Sequence, residues 1–415
     1  MEKIAIETYG CTLNQADSEM IEERLKEIGY EISDEGETVI INTCTVKTPT
    51  EQKILHRIKE LNEKGKRLIV TGCLANASPE KIMHCAPNAI ILNSSRIGHI
   101  EEAVENSRSI LEFKFEEKPL WLIRNKGVIA KIPISEGCLS SCTFCETKYA
   151  RGPLRSYEEN IILKAVKNCV EKGAKEIELT SQDVGAYGAD RKTNIAELVK
   201  NICEIEGDFK VRIGMLNPEH IHKYFDELME AMKDRHIYKF LHLPVQSGSN
   251  KVLREMKRNY TIEEYEGCIE EIRRRISGIT IHTDIIVGYP TETDEDFNET
   301  IMMLERVRPT VTNVSKFGAR PHTYASRLKQ IENRKVKERS TLASRIARKI
   351  TYETLQKELN KEMRVLITEK SERSYLSRSD SYVQVAINGE AELGSYVNVK
   401  ILRASSSCLV GEVCV

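Results

Sequence analysis

The chain has few long apolar runs and almost no net charge. No stretch of 18 apolar residues occurs, so we expect no transmembrane helix and no membrane partner. Residues 2–7 alternate like a strand and do not resemble a signal peptide, which favours a cytoplasmic, reducing location. The 62 basic and 63 acidic residues nearly cancel, so a nucleic-acid partner would have to be held by local basic patches.

Cysteine, by contrast, is abundant, with 12 in 415 residues. Three of them form the segment Cys138-Leu-Ser-Ser-Cys142-Thr-Phe-Cys145, in which the thiols can face one point. Such soft ligands suit an iron–sulfur cluster or zinc, but a structural zinc site needs four ligands. No other Cys or His lies within about ten residues of this loop, so we predict a cluster with one open iron. The loop resembles that of the radical-SAM superfamily; zinc completed by a distant residue is the alternative.

Three further cysteines, Cys11, Cys44 and Cys73, follow predicted strands that are separated by helices. These strands cover residues Lys3–Glu7, Thr38–Ile41 and Arg67–Val70. Strands that alternate with helices form a parallel sheet, and ligands bind outside its carboxyl ends. We therefore predict a second iron–sulfur cluster with an open iron on these cysteines. The alternative is three small buried side chains, which are common in protein cores.

Between residues 126 and 320 the pattern predicts six β/α repeats, fewer than the eight of a closed barrel. An open barrel leaves a lateral gap through which a large substrate can enter. Its carboxyl strand ends carry small residues and uncharged hydrogen-bonding groups. The candidates for binding the amino acid and ribose of S-adenosylmethionine are Gln182, Asp183, Asn217, Gln246 and Ser247. For each of them, turn formation or helix capping is an equal alternative.

The last part of the chain combines a basic segment with short strands. Arg327–Lys349 is either a solvated helix face or a track for phosphates. Met363–Val415 reads as four or five short strands, including one over Ser381–Ala386, with a hairpin signal at Asn388-Gly389. This pattern suggests a small OB-like barrel that binds nucleic acid. Charge and stacking faces for RNA would come from Arg373, Tyr375, Arg378 and Tyr382.

Several motifs together resemble the methylthiotransferase family of the radical-SAM superfamily over essentially the whole chain. They are Gly10-Cys11, Asn42-Thr43-Cys44, Thr71-Gly72-Cys73, Glu136-Gly137-Cys138, Ala150-Arg151-Gly152, Ser181-Gln182-Asp183, Leu243-Pro244-Val245-Gln246-Ser247-Gly248-Ser249 and Asp284-Ile-Ile-Val-Gly288-Tyr-Pro290. The C-terminal segment resembles a TRAM domain, an RNA-binding barrel. The chain is most similar to the archaeal and eukaryotic branch, because Glu146-Thr147-Lys148 stands where bacterial branches carry Ile-Val-Pro.

The resemblance implies an α/β protein of three domains. Residues 1–115 would form an N-terminal parallel α/β domain that holds the auxiliary cluster. Residues 125–350 would form the central open (β/α)6 radical-SAM barrel. Residues 356–415 would form the small antiparallel TRAM barrel.

The resemblance also implies an activity. It is the conversion of N6-threonylcarbamoyladenosine at tRNA position 37, next to the anticodon, to its 2-methylthio derivative. Two 4Fe-4S clusters and S-adenosylmethionine would supply the radical and the sulfur, because a ring C–H is too inert for a protein base. A water-poor chamber would protect the radical, and Phe144 would pack on the cofactor adenine or anchor the loop. The partners would be the tRNA anticodon stem-loop and an electron donor such as ferredoxin or flavodoxin.

The threonylcarbamoyl carboxylate calls for a cation near the radical site. The candidates are Lys148, Arg151 and Arg155, of which Arg151 also matches the wider family. We therefore expect Lys148 or Arg155 to read the carboxylate. Alternative substrates are isopentenyl-adenosine in tRNA or a ribosomal-protein side chain. A non-enzymatic iron–sulfur protein that binds RNA or carries sulfur or electrons is the alternative from another class.

Overall fold

The structure, a computed structural model, describes residues 2–45, 48–123, 127–372 and 374–414. Arg373, one of the residues expected to face RNA, lies outside the described residues. No helix in these ranges is both long and apolar enough to cross a bilayer.

The N-terminal part is a five-stranded parallel sheet of order β2-β1-β3-β4-β5. Its elements are β1 (Lys3–Thr8), α1 (Thr12–Glu27), β2 (Glu31–Ile32), β3 (Thr38–Thr43), α2 (Thr48–Glu63), β4 (Arg67–Gly72), α3 (Cys73–Ala77), α4 (Pro79–Cys85), β5 (Ile90–Ile91) and α5 (Ile100–Glu105). Strand β3 is buried along its whole length, as a central parallel strand covered on both faces should be. The predicted alternation of strands and helices is confirmed, but α1 begins directly after Cys11, six residues earlier than its apolar pattern indicated.

The central part contains six parallel strands in two groups of three, β6-β9-β10 and β11-β12-β13. Its elements are β6 (Ile129–Pro133), β7 (Ser135–Glu136), α6 (Thr147–Arg151), β8 (Arg155–Ser156), α7 (Glu159–Glu171), β9 (Glu176–Thr180), α8 (Ile195–Cys203), β10 (Lys210–Ile213), α9 (Pro218–Ile221), α10 (Phe225–Ala231), β11 (Phe240–His242), α11 (Asn250–Glu255), α12 (Ile262–Arg275), β12 (Thr280–Val287), α13 (Asp294–Val307), β13 (Val311–Lys316) and α14 (Asn333–Gln356). A parallel bridge between Met215 and His242 joins the two groups. Within the described ranges β6 and β13 do not pair, so the predicted six-strand barrel is confirmed as open.

The C-terminal part is a closed five-stranded barrel of order β14-β15-β16-β18-β17. Its strands are β14 (Glu362–Lys370), β15 (Tyr375–Ser379), β16 (Gln384–Asn388), β17 (Tyr396–Ala404) and β18 (Leu409–Val413). Four of the neighbouring pairs are antiparallel, and β16 pairs with β18 in parallel.

Two local predictions for this barrel are wrong. Asn388-Gly389 does not join a hairpin, because β17 pairs with β14 and β18 and not with β16. The expected strand over Ser381–Ala386 starts only at Gln384, because residues 379–382 form a turn in which Tyr382 has φ of +61°.

The C-terminal barrel packs on the amino ends of the central strands. Asp380 forms ion pairs with Lys210 and with Lys239, the latter at 3.2 Å. Lys210 is the first residue of β10, and Lys239 directly precedes β11. Tyr382 donates a hydrogen bond to Glu178 at 2.9 Å, and its ring centroid lies 4.8 Å from that of Phe240.

The expectation that Arg378 and Tyr382 face RNA is therefore wrong. The guanidinium of Arg378 lies 5.3 Å from the Tyr382 ring, and both side chains take part in the contact between the two barrels. An aromatic ring with a hydroxyl group suits this interface as well as it suits a base.

Candidate cluster-binding site

The register of the N-terminal sheet brings Cys44 and Cys73 side by side. Thr43 of β3 pairs with Gly72 of β4, and each cysteine is the next residue of its chain. A Cβ on Gly72 would lie 2.4 Å from the carbonyl oxygen of Thr43, so only glycine allows this approach.

Cys11 joins these two cysteines through the turn that follows β1. A Cβ built on the preceding Gly10 would lie 3.1 Å from Cβ of Cys44. The pKa of the Cys73 thiol is raised to about 11, because burial and the neighbouring Cys11 and Cys44 outweigh the lowering effect of Arg151. Three thiols distant in sequence thus meet at one edge of the sheet, as the strand pattern predicted.

The other cysteine loop is clamped at both ends. Strands β7 and β8 pair Glu136 with Arg155, and Cys138 bridges to Pro153. Gly137 has φ of +72°, and a Cβ there would lie 2.0 Å from the carbonyl oxygen of Pro153. The Glu136-Gly137-Cys138 motif therefore reflects a backbone contact that admits no side chain.

The middle of this loop is held by Thr143. Its hydroxyl donates to the carbonyl oxygen of Glu255 at 2.7 Å, and its own carbonyl accepts from the amide of Ala325 at 3.0 Å. Phe144 packs against the apolar cluster that contains Met256 and Tyr289. The structure thus shows Phe144 as a loop anchor, and its contact with a cofactor stays a prediction.

The two cysteine triads stand on elements that touch each other. Helix α3 begins at Cys73, and α6 begins two residues after Cys145. Ala150 of α6 is buried against Cys73 and Ala77, and Asn76 donates to its carbonyl oxygen at 2.6 Å. The two predicted clusters would therefore face a common boundary between the N-terminal part and the barrel.

Arg151 lies inside this boundary and is 1% exposed. Its guanidinium donates to Sγ of Cys73 at 3.2 Å, to Asp17 at 2.8 Å and to Asn14 at 3.2 Å. Lys118, also buried, contacts both Asp17 and Glu136. Burial works against ionisation of Asp17, but Lys118 and Arg151 lower its pKa. Two cations and two carboxylates thus join four separate segments of the chain.

A second arginine, Arg258, donates a hydrogen bond to a sulfur of the other cysteine triad. It donates to Sγ of Cys142 at 3.6 Å, to the carbonyl oxygen of Pro244 at 3.0 Å and to the hydroxyl of Tyr260 at 3.0 Å. Sequence reasoning missed this residue, because Arg258 lies 116 residues from Cys142 and belongs to no motif.

Two of the polar residues at the strand ends, Asp183 and Asn217, hold the local backbone in place. Asp183 accepts hydrogen bonds from the amides of Gly185 and Asn217, both at 3.0 Å, and burial raises its pKa. Asn217 caps α9 and donates to the hydroxyl of Ser140 in the cysteine loop at 3.0 Å. Asp183 and Asn217 therefore fix neighbouring strand ends relative to the loop.

The remaining polar candidates differ in whether their side chains already form hydrogen bonds. They are Ser247, Gln246 and Gln182. The Ser247 hydroxyl accepts from the amide of Ser249 at 3.2 Å, and Gln246 has φ of +73°. The side-chain oxygen of Gln182 is buried and accepts no hydrogen bond within the described part of the chain. An unused buried acceptor costs about 1–3 kcal/mol, so Gln182 fits a ligand that donates there.

The thiols of neither triad meet the spacing that a single ion requires. In neither triad do all three sulfurs lie within 4.8 Å of one another, among the residues described. Sulfurs around one zinc ion must be closer than about 4.6 Å, twice the Zn–S distance of about 2.3 Å. Each triad offers three soft donors of the kind that bind iron–sulfur clusters.

Two of the three cations expected near the substrate are exposed. Lys148 donates to the carbonyl oxygen of Leu139 at 3.1 Å and keeps two further donors. The Arg155 guanidinium lies 5.2 Å from the Phe115 ring. Arg151, as described above, is buried and bonded to protein groups. The exposed ring of Tyr149 stacks on His322 with centroids 3.9 Å apart, a pair that no sequence signal indicated.

Comparisons with known proteins agree with this arrangement. Residues 132–304 match the Radical SAM superfamily, and residues 3–93 match the "Uncharacterized protein family UPF0004". The chain is similar to the structure of TsrM, a radical S-adenosylmethionine methyltransferase from Kitasatospora setae. That match has a TM-score of 0.58 and 13% identity over 79% of this chain and 77% of that one. Such a likeness shows the fold.

Full-length relatives are much closer in sequence. The "Probable threonylcarbamoyladenosine tRNA methylthiotransferase" of Pyrococcus abyssi is 43% identical over 100% of both chains. The "Threonylcarbamoyladenosine tRNA methylthiotransferase" of Drosophila melanogaster is 33% identical over 99% of this chain and 78% of its own. The chain therefore belongs to the threonylcarbamoyladenosine tRNA methylthiotransferase family, within the radical-SAM superfamily.

Proposed function

We propose that this protein converts N6-threonylcarbamoyladenosine at tRNA position 37 to its 2-methylthio derivative. The names of its full-length archaeal and eukaryotic relatives support this substrate. The observation that supports the proposal is the packing of α3, which begins at Cys73, on α6, which begins two residues after Cys145. Relatives of this name do not favour isopentenyl-adenosine or a ribosomal protein as the substrate.

The residues present fit two 4Fe-4S clusters. Cys138, Cys142 and Cys145 would hold one cluster and Cys11, Cys44 and Cys73 the other. When bound, these clusters and S-adenosylmethionine supply the radical and the sulfur. The candidates for holding S-adenosylmethionine are Phe144, Gln182, Asp183, Asn217, Gln246 and Ser247.

Two buried arginines shape the electrostatics of this site. Arg151 donates to Cys73 and Arg258 donates to Cys142, so each triad has one sulfur with a cationic donor. Hydrogen bonds to cluster sulfurs and burial are two of the features that set reduction potentials. The arginines thus stabilise negative charge on the thiolates and help to exclude water.

Substrate selection falls to the exposed cations beside the cysteine loop. Lys148 or Arg155 would bind the carboxylate of the threonylcarbamoyl group. A hydrogen bond between charged groups stabilises such a complex by about 1.5–3 kcal/mol. A cytoplasmic location and an electron donor such as ferredoxin or flavodoxin complete the proposal.

The test is a nucleoside analysis. The anaerobically reconstituted protein is incubated with S-adenosylmethionine, a reductant and tRNA that carries threonylcarbamoyladenosine, and the digest is examined by mass spectrometry. We expect the 2-methylthio derivative of that nucleoside, together with 5′-deoxyadenosine. A C138A/C142A/C145A variant is the control and should form neither. Methylthiolation of isopentenyl-adenosine alone, or no product from protein with both clusters, would contradict the proposal.

A further inference from the structure

Helix α14 extends along the barrel edge that β13 leaves open. Near its start, Val336 touches Gly288, which follows the carboxyl end of β12. Near its end, Glu353 pairs at 2.5 Å with Arg308, three residues before β13 begins. Leu355, in its last turn, belongs to the core of the C-terminal barrel. The helix thus joins the end of the barrel that carries the cysteines to the end that carries the C-terminal barrel.

One face of α14 is exposed along almost its entire length. The exposed residues at successive spacings of three or four are Arg334, Lys337, Thr341, Arg345, Arg348 and Tyr352. Such spacing places side chains in a single row on a helix. From Arg334 to Tyr352 the row is about 27 Å long, at 1.5 Å per residue.

Arg334, at the start of this row, pairs with Glu338 at 2.9 Å, whereas the other charges of the row are not neutralised by the described part of the protein. Lys337, Arg345 and Arg348 form no ion pair within the described part of the chain. Other cations of the same helix are structural: Arg339 is buried against Glu292 at 2.5 Å, and Lys335 pairs with Asp294 at 2.7 Å. The structure thus separates the basic segment into cations that hold α14 in place and cations that face solvent.

The row also continues to the cysteine loop. Arg327 and Lys329 are exposed in the segment before α14. The amide of Ala325, in the same segment, donates to the carbonyl oxygen of Thr143 in the cysteine loop at 3.0 Å. Exposed cations therefore lead from the predicted radical site to the C-terminal barrel.

We propose that Arg327, Lys329, Lys337, Arg345 and Arg348, here called the α14 track, bind the phosphate backbone of the tRNA stem. This inference rests on the proposed function and adds the path of the RNA across the protein. An extended polyanion matches a linear row of unpaired cations better than a compact acidic protein does. The track would hold the stem along the open edge of the barrel while the target base enters the gap.

The experiment measures how salt weakens tRNA binding. Each phosphate contact contributes about 0.9 to the slope of log K against log[salt] for a duplex and about 0.7 for a single strand. Fluorescence anisotropy of labelled tRNA with the reconstituted full-length protein gives this slope. The variant K337Q/R345Q/R348Q should reduce its magnitude by about 2–3 and weaken binding at low salt. Glutamine keeps a helix propensity close to that of the residues it replaces.

A matched control changes three exposed cations of the opposite half of the barrel. Lys164 and Lys172, on and just after α7, and Lys200 on α8 have no ion pair within the described residues. K164Q/K172Q/K200Q alters the net charge equally and should leave the slope within about 0.5 of the wild-type value if only the α14 track contacts phosphates. Thermal unfolding of both variants verifies that they are folded.

The outcomes separate this inference from the proposed function. An unchanged slope in the α14 variant, or an equal loss in the control, overturns the track even if wild-type protein methylthiolates tRNA. If the variant keeps the wild-type slope but accepts electrons more slowly from a protein donor, the surface is a docking site for that donor and the inference is wrong. Absence of product from wild-type protein contradicts the proposed function. In that case the difference in salt slope between the wild-type protein and the α14 variant still decides whether the α14 track contacts phosphates.

Discussion

Arg151 donates a hydrogen bond from Nε to the sulfur of Cys73, 3.2 Å away, across the boundary between the N-terminal part and the barrel. The same guanidinium binds Asp17 at 2.8 Å, and the Asp17 carboxylate also forms an ion pair with Lys118. The Ala150-Arg151-Gly152 motif therefore has a structural explanation. It joins the two halves of the site and places a cation beside one predicted cluster ligand.

Replacing Arg151 by Met should destabilise the protein strongly. The change leaves Asp17 and Glu136 buried with Lys118 as their remaining cation, and breaking a buried pair costs about 3–5 kcal/mol. Urea unfolding of the cluster-free protein measures this loss. Adding Asp17→Asn should recover part of it, because one uncompensated charge is removed. Arg334→Met, at a side chain that is 89% exposed, is the control and should cost no more than about 0.5 kcal/mol. A loss of that same small size for Arg151→Met would contradict the importance of the network.

Removing each cysteine triad should remove one cluster. We expect C11A/C44A/C73A to bind half the iron and sulfide of the wild-type protein and still to cleave S-adenosylmethionine to 5′-deoxyadenosine. C138A/C142A/C145A should bind the other half and form no 5′-deoxyadenosine. Iron and sulfide analysis, with the yield of 5′-deoxyadenosine, tests both statements. Full iron content in the first variant would mean that Cys11, Cys44 and Cys73 hold no cluster.

Lys148→Met should weaken recognition of the threonylcarbamoyl group. Loss of a charge-assisted hydrogen bond of about 1.5–3 kcal/mol corresponds to a decrease in kcat/KM of about tenfold to a hundredfold. The comparison is the preference for threonylcarbamoylated over unmodified tRNA, measured for Lys148→Met and for Arg155→Met. If both variants keep the wild-type preference, neither residue reads the carboxylate.

Glu176 should make the contact between the two barrels depend on pH. Its pKa is raised to about 7, because burial and the nearby Glu178 outweigh the hydrogen bond from Tyr238, which lowers it. Because the folded-state pKa lies above the ordinary glutamate value of 4.5, the folded protein retains a proton that the unfolded chain releases. Stability should therefore fall as pH rises from about 4.5 to about 7 and then stay level.

Glu176→Gln, which mimics the protonated side chain, should remove this fall. We expect it to raise the melting temperature at pH 8 and to change it little at pH 4.5. Glu206→Gln, at an exposed residue of the same half of the barrel, is the control. An increase for Glu176→Gln that is equal at both pH values would rule out titration of Glu176 as the cause.

The features that follow from parallel strands were predictable from the sequence. Cys44 and Cys73 each follow a β-branched strand directly, and parallel register makes their proximity a necessity. The six central strands were predicted because helices and strands alternate there with distinct apolar periods.

Features set by packing between distant segments were not predictable. The contact of Arg258 with Cys142 depends on how α11 returns to the cysteine loop. The burial of Tyr382 depends on the docking of one barrel on another. The turn at Asn388-Gly389 fails to form a hairpin because the strands on either side of it, β16 and β17, do not pair with each other.

The C-terminal barrel packs against the amino-terminal end of the central barrel, where the Tyr382 ring contacts the rings of Tyr238 and Phe240. A protein shortened to remove the C-terminal barrel would uncover these rings and leave Glu176 and Glu178 without the Tyr382 hydroxyl. Loss of activity after such a truncation would report a damaged catalytic domain as much as lost tRNA affinity. The prediction that this barrel binds RNA therefore has to be tested with point substitutions on its outer surface.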